Sequence, residues 1–458
     1  MSFPPDPDPG AMLNLSAIAA HHKTSGAPSE AAPCPRCGTW SPINESRPLR
    51  FWEPSLLRTT IMTVRTGCYL CPRCPAGQRW FTVRPPAYRT TGQYSLHAKE
   101  HVVALVREYR MSIDAAAALA RDLLHLSKLH ATTVLGWLRQ AGDQVDVDAW
   151  HKDAVAIFSG QMAIDEVYDG DWYQLKATDP LNDIELYWFV GEGSPTEADI
   201  RAFCIKLREL GFMPELVVTD GSKLYPKVIA EVWPDAEHQR CVFHFIKQAN
   251  QDVSRAFWEA YKTMPVPPKR GRGRPKKRGR PRKDKLKREN RRKVRAVRYL
   301  LMKRNLTDDE RTRLDEAIGL CPPLAELRRF VQMLHELFGP TTDSHELARL
   351  RRKALLDDAS FAAIDKLGPV LKRLRDDDLF SRLTRYLDFE NADKTSNHVE
   401  RQNREYRNRQ KTHYRIRSLE TLCALLNLLM TRRPRTSEPV KLRRKPSSPD
   451  HKEVKKAA

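Results

Sequence analysis

Three carboxylates stand where chemistry would need them. Asp165 lies inside the apolar run AIDEVY, Asp220 ends the apolar run LVVTDG, and Glu400 lies in the charged stretch NHVERQNREYR. An acid inside a strand is costly to bury unless it is paired or metal-bound. A carboxylate at a strand's carboxyl end faces the crevice where open α/β sheets place their sites. Two aspartates and a glutamate so ordered can supply a two-cation site of oxygen ligands. Such a site suits in-line displacement at a phosphodiester: one cation activates the attacking oxygen and the other, about 4 Å away, stabilises the leaving one. Three acids suffice, because magnesium keeps several waters and takes substrate phosphate oxygens.

A second constellation is built from sulfur. Of nine cysteines, five fall in an N-terminal cluster that repeats CPRC at Cys34/Cys37 and Cys71/Cys74, with Cys68 just before the second pair. CxxC pairs in a chain without a secretory leader argue for a metal rather than disulfides. Cys34, Cys37, Cys71 and Cys74 offer four thiolates to a tetrahedral structural zinc, in a ribbon that folds only with its ion. Pairing Cys68 with Cys71 as the second knuckle is the competing choice. Cys204, Cys241, Cys321 and Cys423 are scattered and read as reduced.

The elements that must position these groups follow from periodicity. Residues 1–32, rich in Pro, Ala, Ser and Gly, read as a disordered leader, and 33–90 as the zinc ribbon. Residues 94–145 carry three short helical patterns, a helix-turn-helix whose last helix presents Thr132, Thr133, Arg139 and Gln140 to a major groove; Ser112 is a cap candidate. From 155 to 248 three strand-like runs, a helix, the strand LVVT, a second helix and the run HQRCVFHF make an α/β pattern with a mixed sheet. A helical block over 249–388, with a capping box at Thr307 and Glu310, interrupts that domain. Residues 389–432 close it with two helices, the first carrying Glu400. Residues 433–458 read as a disordered basic tail.

Charge names a partner class. The chain carries 79 Lys+Arg against 57 Asp+Glu, a net +22, which calls for a polyanion. Most of the excess is local: residues 269–298 hold 18 basic and 2 acidic residues. Within them KRGRGRPKKRGRPRK (269–283) contains Arg-Gly-Arg-Pro twice, placing Arg272, Arg274, Arg278 and Arg280. The repeat resembles the AT-hook core, in which arginines enter a narrow A·T minor groove. No apolar run approaches the roughly 20 residues of a spanning helix, and the N-terminus lacks the pattern of a signal peptide, so the expectation is a cytoplasmic protein with no membrane partner.

The blocks AIDEVYDG, VVTDGSKLYPKVIAEVWPDAEHQRCVFHF and KTSNHVERQNREYRNRQKTHYRIRS resemble the catalytic blocks of DDE transposases with an RNase H-like fold, in particular the insertion-sequence group of the ISL type. The resemblance implies an α/β fold: an RNase H-like mixed sheet interrupted by a large all-α insertion and preceded by a zinc ribbon and a helix-turn-helix. It makes Asp165, Asp220 and Glu400 the ligands of two Mg2+ or Mn2+ ions. It marks Cys241 and His244 as site-supporting. Asn397, Arg401 and Arg404, at helical offsets from Glu400, could steer phosphates. The implied activity is cleavage and strand transfer on double-stranded DNA, both element ends and target, by a homodimer or higher assembly in a bacterial cytoplasm. The alternatives are a DNA-binding regulator descended from a transposase and a structure-selective nuclease of the same fold. Deleting residues 269–283 is expected to weaken duplex binding and lower the slope of log affinity against log salt, measured by titration of full-length and deleted protein, while metal-dependent turnover persists.

Overall fold

The computed structural model describes residues 21–24, 28–54, 59–85, 93–124, 126, 128–169, 171–266, 282–412, 418–431 and 438–446. In chain order, strands β1 (His21–Thr24), β2 (Ala31–Pro33), β3 (Trp40–Pro54), β4 (Thr59–Leu70) and β5 (Trp80–Val83) precede helices α1 (Leu96–Arg107), α2 (Ile113–Asp122), α3 (Ala131–Asp143) and α4 (Val147–Ile157). Next come β6 (Gln161–Asp169), β7 (Trp172–Asp179), β8 (Ile184–Glu192), α5 (Glu197–Glu209), β9 (Leu216–Thr219), α6 (Tyr225–Val232), β10 (Glu237–Arg240) and α7 (Val242–Thr263). The remainder is helical: α8 (Arg282–Ala296), α9 (Asp308–Leu320), α10 (Pro323–Leu337), α11 (His345–Asp357), α12 (Ala359–Ala362), α13 (Gly368–Arg375), α14 (Asp377–Thr384), α15 (Asn397–Thr412) and α16 (Leu419–Met430). The chain divides into two compact units, residues 1–147 with 404–432 and residues 148–403 with 433–458.

The first unit holds a sheet in the order β1-β4-β3-β2, with β5 also on β4. The long β3–β4 hairpin carries both knuckles at its open end: Cys34 and Cys37 lie between β2 and β3, and Cys71 and Cys74 follow β4. Gly38 takes φ +73°, open to glycine at little cost, and its N–H reaches the Cys34 carbonyl at 2.9 Å to close the first turn. β1 and the start of β2 fall inside residues 1–32, so the disordered leader does not extend to 32: His21–Thr24 pair with β4 and Ala31–Pro33 with β3.

The three-helix pattern is present as α1 to α3. Ser95 and Ser112 each accept a hydrogen bond from the third residue on, at 3.1 and 3.0 Å, and cap α1 and α2. Val102, Val106, Ala116, Ala120, Val134 and Leu138 form their core, and Leu428 of α16 enters it. Two expectations change here. α16 belongs with these helices rather than with the α/β domain, because Gly142 leaves no Cβ and the Ala424 backbone of α16 occupies that space. Arg139 is engaged inside the unit: it donates to Thr421 Oγ1 at 2.8 Å and Ser418 Oγ at 3.0 Å, and pairs with Glu420 at 3.2 Å.

The second unit is built on a sheet ordered β10-β9-β6-β7-β8, antiparallel across β6, β7 and β8 and parallel across β6, β9 and β10. Strand alternation sorts its side chains. Met162, Ile164, Leu175 and Val217 pack with Ile200, Phe203, Val228 and Ile229 of α5 and α6. Ala163, Leu216 and Val218 pack on the other face with Cys241, Phe389, Val399 of α15 and Leu442. The insertion has its own core, from Val242 and Phe245 to Leu387, and Thr307 with Glu310 makes the expected capping box on α9. Two boundaries move. HQRCVFHF is not one strand: β10 ends at Arg240, and Val242 and Phe245, three apart on α7, already enter the insertion core. The tail is ordered over 438–446: Val440 exchanges hydrogen bonds with Asn182 at 2.7 and 3.0 Å, and the Leu442 N–H reaches the Ser159 carbonyl at 2.8 Å. The basic run is another matter, since residues 267–281, with Arg272, Arg274, Arg278 and Arg280, lie outside the described residues.

Gly142→Ala is expected to lower the melting temperature of the full chain. Alanine's helix propensity returns about 1 kcal/mol, whereas overpacking against a neighbouring backbone costs about 1–3 kcal/mol; a thermal unfolding scan decides.

Candidate active site and metal centres

β6 carries Asp165 on the face that α15 covers, and β9, its parallel neighbour, ends one residue before Asp220. α15 is held over that face by three contacts. Val399 is buried in the sheet's second core, His398 Nε2 meets Asp183 Oδ1 at 2.5 Å, and Asn403 Nδ2 donates to Asp165 Oδ2 at 2.8 Å. Glu400 stands between these contacts in sequence, one residue after Val399. Asp220 turns its own loop by accepting the Ser222 N–H at 2.8 Å.

The charges of neighbouring acids reach the buried Asp165 carboxyl. Burial, then the charges of Glu166 and Asp220 and a further push from Glu400, raise the Asp165 acid from 3.8 to about 7, against the hydrogen bond from Asn403. Glu166 points to the opposite face, where the buried Tyr225 hydroxyl donates to it at 2.5 Å; burial raises its acid as well, with Tyr225 opposing and Asp220 reinforcing. One oxygen of Glu400, Oε1, is buried without a hydrogen-bond partner although His244 Nε2 stands 3.4 Å away. Buried negative charge with an unfilled oxygen is a donor set suited to a hard cation.

A family model described as transposase, of the ISL3 DDE type, matches residues 162–426, more than half of the 458-residue chain. The chain belongs to this transposase family. Among solved structures it is similar to the Drosophila P element transposase strand transfer complex, at 13% identity and a TM-score of 0.33, over 71% of this chain and 92% of that one. No curated protein matches it.

In this transposase Cys241 and His244 sit beside the acids rather than in a metal cluster of their own. Cys241 Sγ accepts the Ser396 N–H at 3.2 Å, fixing the loop before α15, and His244 faces Glu400. Asn397, Arg401 and Arg404 are exposed on α15. Residue typing missed Asn403 and His398, the two side chains that hold α15 in place; the only available signal was their spacing of three and two residues from Glu400.

The sulfur centre is geometrically complete. Among the described residues Cys34, Cys37, Cys71 and Cys74 form the one group of three or more ligand atoms mutually within 4.8 Å. Their Sγ separations of 3.5, 3.7 and 3.8 Å match the roughly 3.8 Å edge of a tetrahedron with zinc–sulfur bonds of about 2.3 Å. Cys68 lies on β4 opposite Thr82 and Glu45, outside that group, so the quartet fits zinc without it.

The raised Asp165 acid fixes the sign of a pH effect. Its stabilising contribution is complete below the unfolded value near 3.8 and is lost as pH rises through about 7. In metal-free protein, Asp165→Asn should therefore gain stability relative to wild type from about pH 4 to 7; parallel denaturant melts across that range measure the difference.

Proposed function

We propose that this transposase cuts DNA at the ends of its element and joins the freed ends to a target, at a site formed by Asp165, Asp220 and Glu400. What supports this reading is the placement of Asp165 on β6, Asp220 just past the parallel β9 and Glu400 on the helix covering that face, with the charges of Asp220 and Glu400 both reaching the buried Asp165 carboxyl. Asp165, Asp220 and Glu400 would hold two magnesium or manganese ions. Such a pair, when bound, supplies activation of the attacking oxygen and stabilisation of the leaving one. Asn403 orients Asp165 through the bond to Oδ2, Asp220 is set by its bond to Ser222, and His244 borders Glu400. With water as the attacking group the product is a nicked end; with a freed 3′-hydroxyl it is a joined strand.

The cysteine ribbon and α1 to α3 are the parts suited to reading end sequences. Thr132 and Gln140 are exposed on α3 and Thr133 is partly so, while Arg139 is occupied by α16 residues. Recognition on α3 therefore falls to Thr132, Thr133 and Gln140. Bringing two ends together calls for at least a dimer.

Asp220→Asn and Glu400→Gln proteins, verified as folded by melting temperature, are expected to lose cleavage and joining of end-bearing duplex in magnesium by roughly 10³-fold or more, the several kcal/mol that metal-held charge stabilisation supplies. Turnover near the wild-type rate would sink the assignment. Cutting of junctions without end sequences would point to a nuclease instead.

A further inference from the structure

Beside Asp220 the second unit gathers positive charge that the acids around it do not use up. Arg240 ends β10, Arg373 lies on α13, Arg382 on α14, and His238 is two residues before Arg240. The Nε atoms of all three arginines and Nδ1 of His238 are buried without a hydrogen-bond partner. Unpaired buried donors are costly, on the order of 1–3 kcal/mol each, and four in one place call for an acceptor.

The neighbours are accounted for by name. Arg373 Nη2 pairs with the buried Asp252 at 2.6 Å, and Asp252 also holds Arg255 at 2.8 Å. Arg382 pairs with Asp378, one turn earlier on the same helix. Arg240 reaches Gln248 at 3.4 Å, and no Cβ at Gly221 stands in its way: one built there would collide with its Nη2. His238 Nε2 lies 2.9 Å from Thr219 Oγ1. β10 is locked against α14 and the residues after it, since Gln239 Nε2 donates to the Leu383 carbonyl at 3.0 Å and its Oε1 accepts the Tyr386 N–H at 2.9 Å. The elements that carry Arg240 and Arg382 are therefore held side by side. Arg373 and Arg382 keep 28% and 26% of their side chains exposed, so a ligand can reach them.

The neighbouring positive charges act on one another. Burial, then Arg382 and Arg240, push the His238 imidazole down to about 3, so it is neutral. Burial, then Arg382, also hold the Arg240 guanidinium below its ordinary range, with Asp220 opposing and Arg373 adding to the effect. Guanidiniums that repel one another favour an anion among them, and guanidinium forks match phosphate oxygens.

We propose that Arg240, Arg373 and Arg382, with His238, form a binding site for a phosphate group next to Asp220. Resting on the reading of the acids as a DNA-cutting site, that phosphate is a phosphodiester of the strand being processed, one or a few nucleotides from the bond that reacts. The insertion, which supplies Arg373 and Arg382, then grips the strand within the catalytic unit.

The test uses the full chain without divalent metal, comparing wild type with Arg382→Gln, Arg373→Gln and Arg382→Lys. In the first arm, millimolar inorganic phosphate, against chloride at matched ionic strength, should raise the wild-type melting temperature, and the rise should vanish in the glutamine variants. In the second, a mixed-sequence duplex should bind each glutamine variant about tenfold more weakly, with a salt slope lower by about one; Arg382→Lys should recover most of the affinity. A lost phosphate response with unchanged duplex binding assigns the site to free phosphate rather than the strand. No change in either arm overturns the site, provided the variants melt as single species. The phosphate arm needs no DNA turnover, so it stands or falls separately from the Asp220→Asn and Glu400→Gln result.

Discussion

Negative charge forced together on one sheet is the constraint around which the second unit is organised. Like charges in a protein interior repel more strongly than in water, and Asp165, itself buried, feels Glu166, Asp220 and Glu400 together. The scaffold must hold them there against that repulsion. It does so by apolar packing on both faces of a five-stranded sheet and by pinning α15 at His398, Val399 and Asn403. The pins bracket Glu400 within two residues before it and three after. A helix held at one end only could rotate the glutamate away; held on both sides, it cannot.

The insertion is bound into the same framework. α7 runs without a break from the end of β10 into the helical block, so that His244 borders Glu400 while Val242 and Phe245 pack in the insertion core. The far end returns close by: the Val242 N–H bonds the Lys394 carbonyl at 3.1 Å, and Lys394 Nζ reaches the Phe338 carbonyl at 2.6 Å. Entry and exit of the insertion therefore meet beside the acids. A block of helices attached this way positions its own charged groups, such as Arg373 and Arg382, relative to Asp220.

The cysteine quartet and the succession of strands and helices along the chain were readable because each rests on local pattern: a repeated CPRC, alternation broken by turns. What escaped reading depends on partners far away in sequence. Asn403 finds Asp165 across 238 residues, and Arg139 finds Thr421 across 282. From sequence Arg139 was an exposed cation on a recognition helix; the structure spends it on α16. The tail shows the same blindness, since nothing in the polar residues around Val440 announces that Asn182 has both an acceptor and a donor turned toward them. Glu166 was overlooked for a different reason. Its neighbour Asp165 explained the motif, and only strand alternation sends the two carboxylates to opposite faces.

The two candidate metal centres solve opposite problems. The four sulfurs already lie at the separations of a closed tetrahedron, leaving no position for a further ligand, which is the arrangement of an ion that holds a ribbon together. The three carboxylates do not form a group as tight as the thiolates, whose ligand atoms all lie within 4.8 Å of one another, and the pair of ions proposed for them would suit that looser setting. In general the coordination of such a pair is completed by water and by phosphate oxygens that arrive and leave with a substrate. A tighter carboxylate cage would bind cations well and leave the strand nothing to coordinate. The raised Asp165 acid follows from burial first and from the neighbouring acids second, so the fold has confined a carboxyl that resists ionising where it stands.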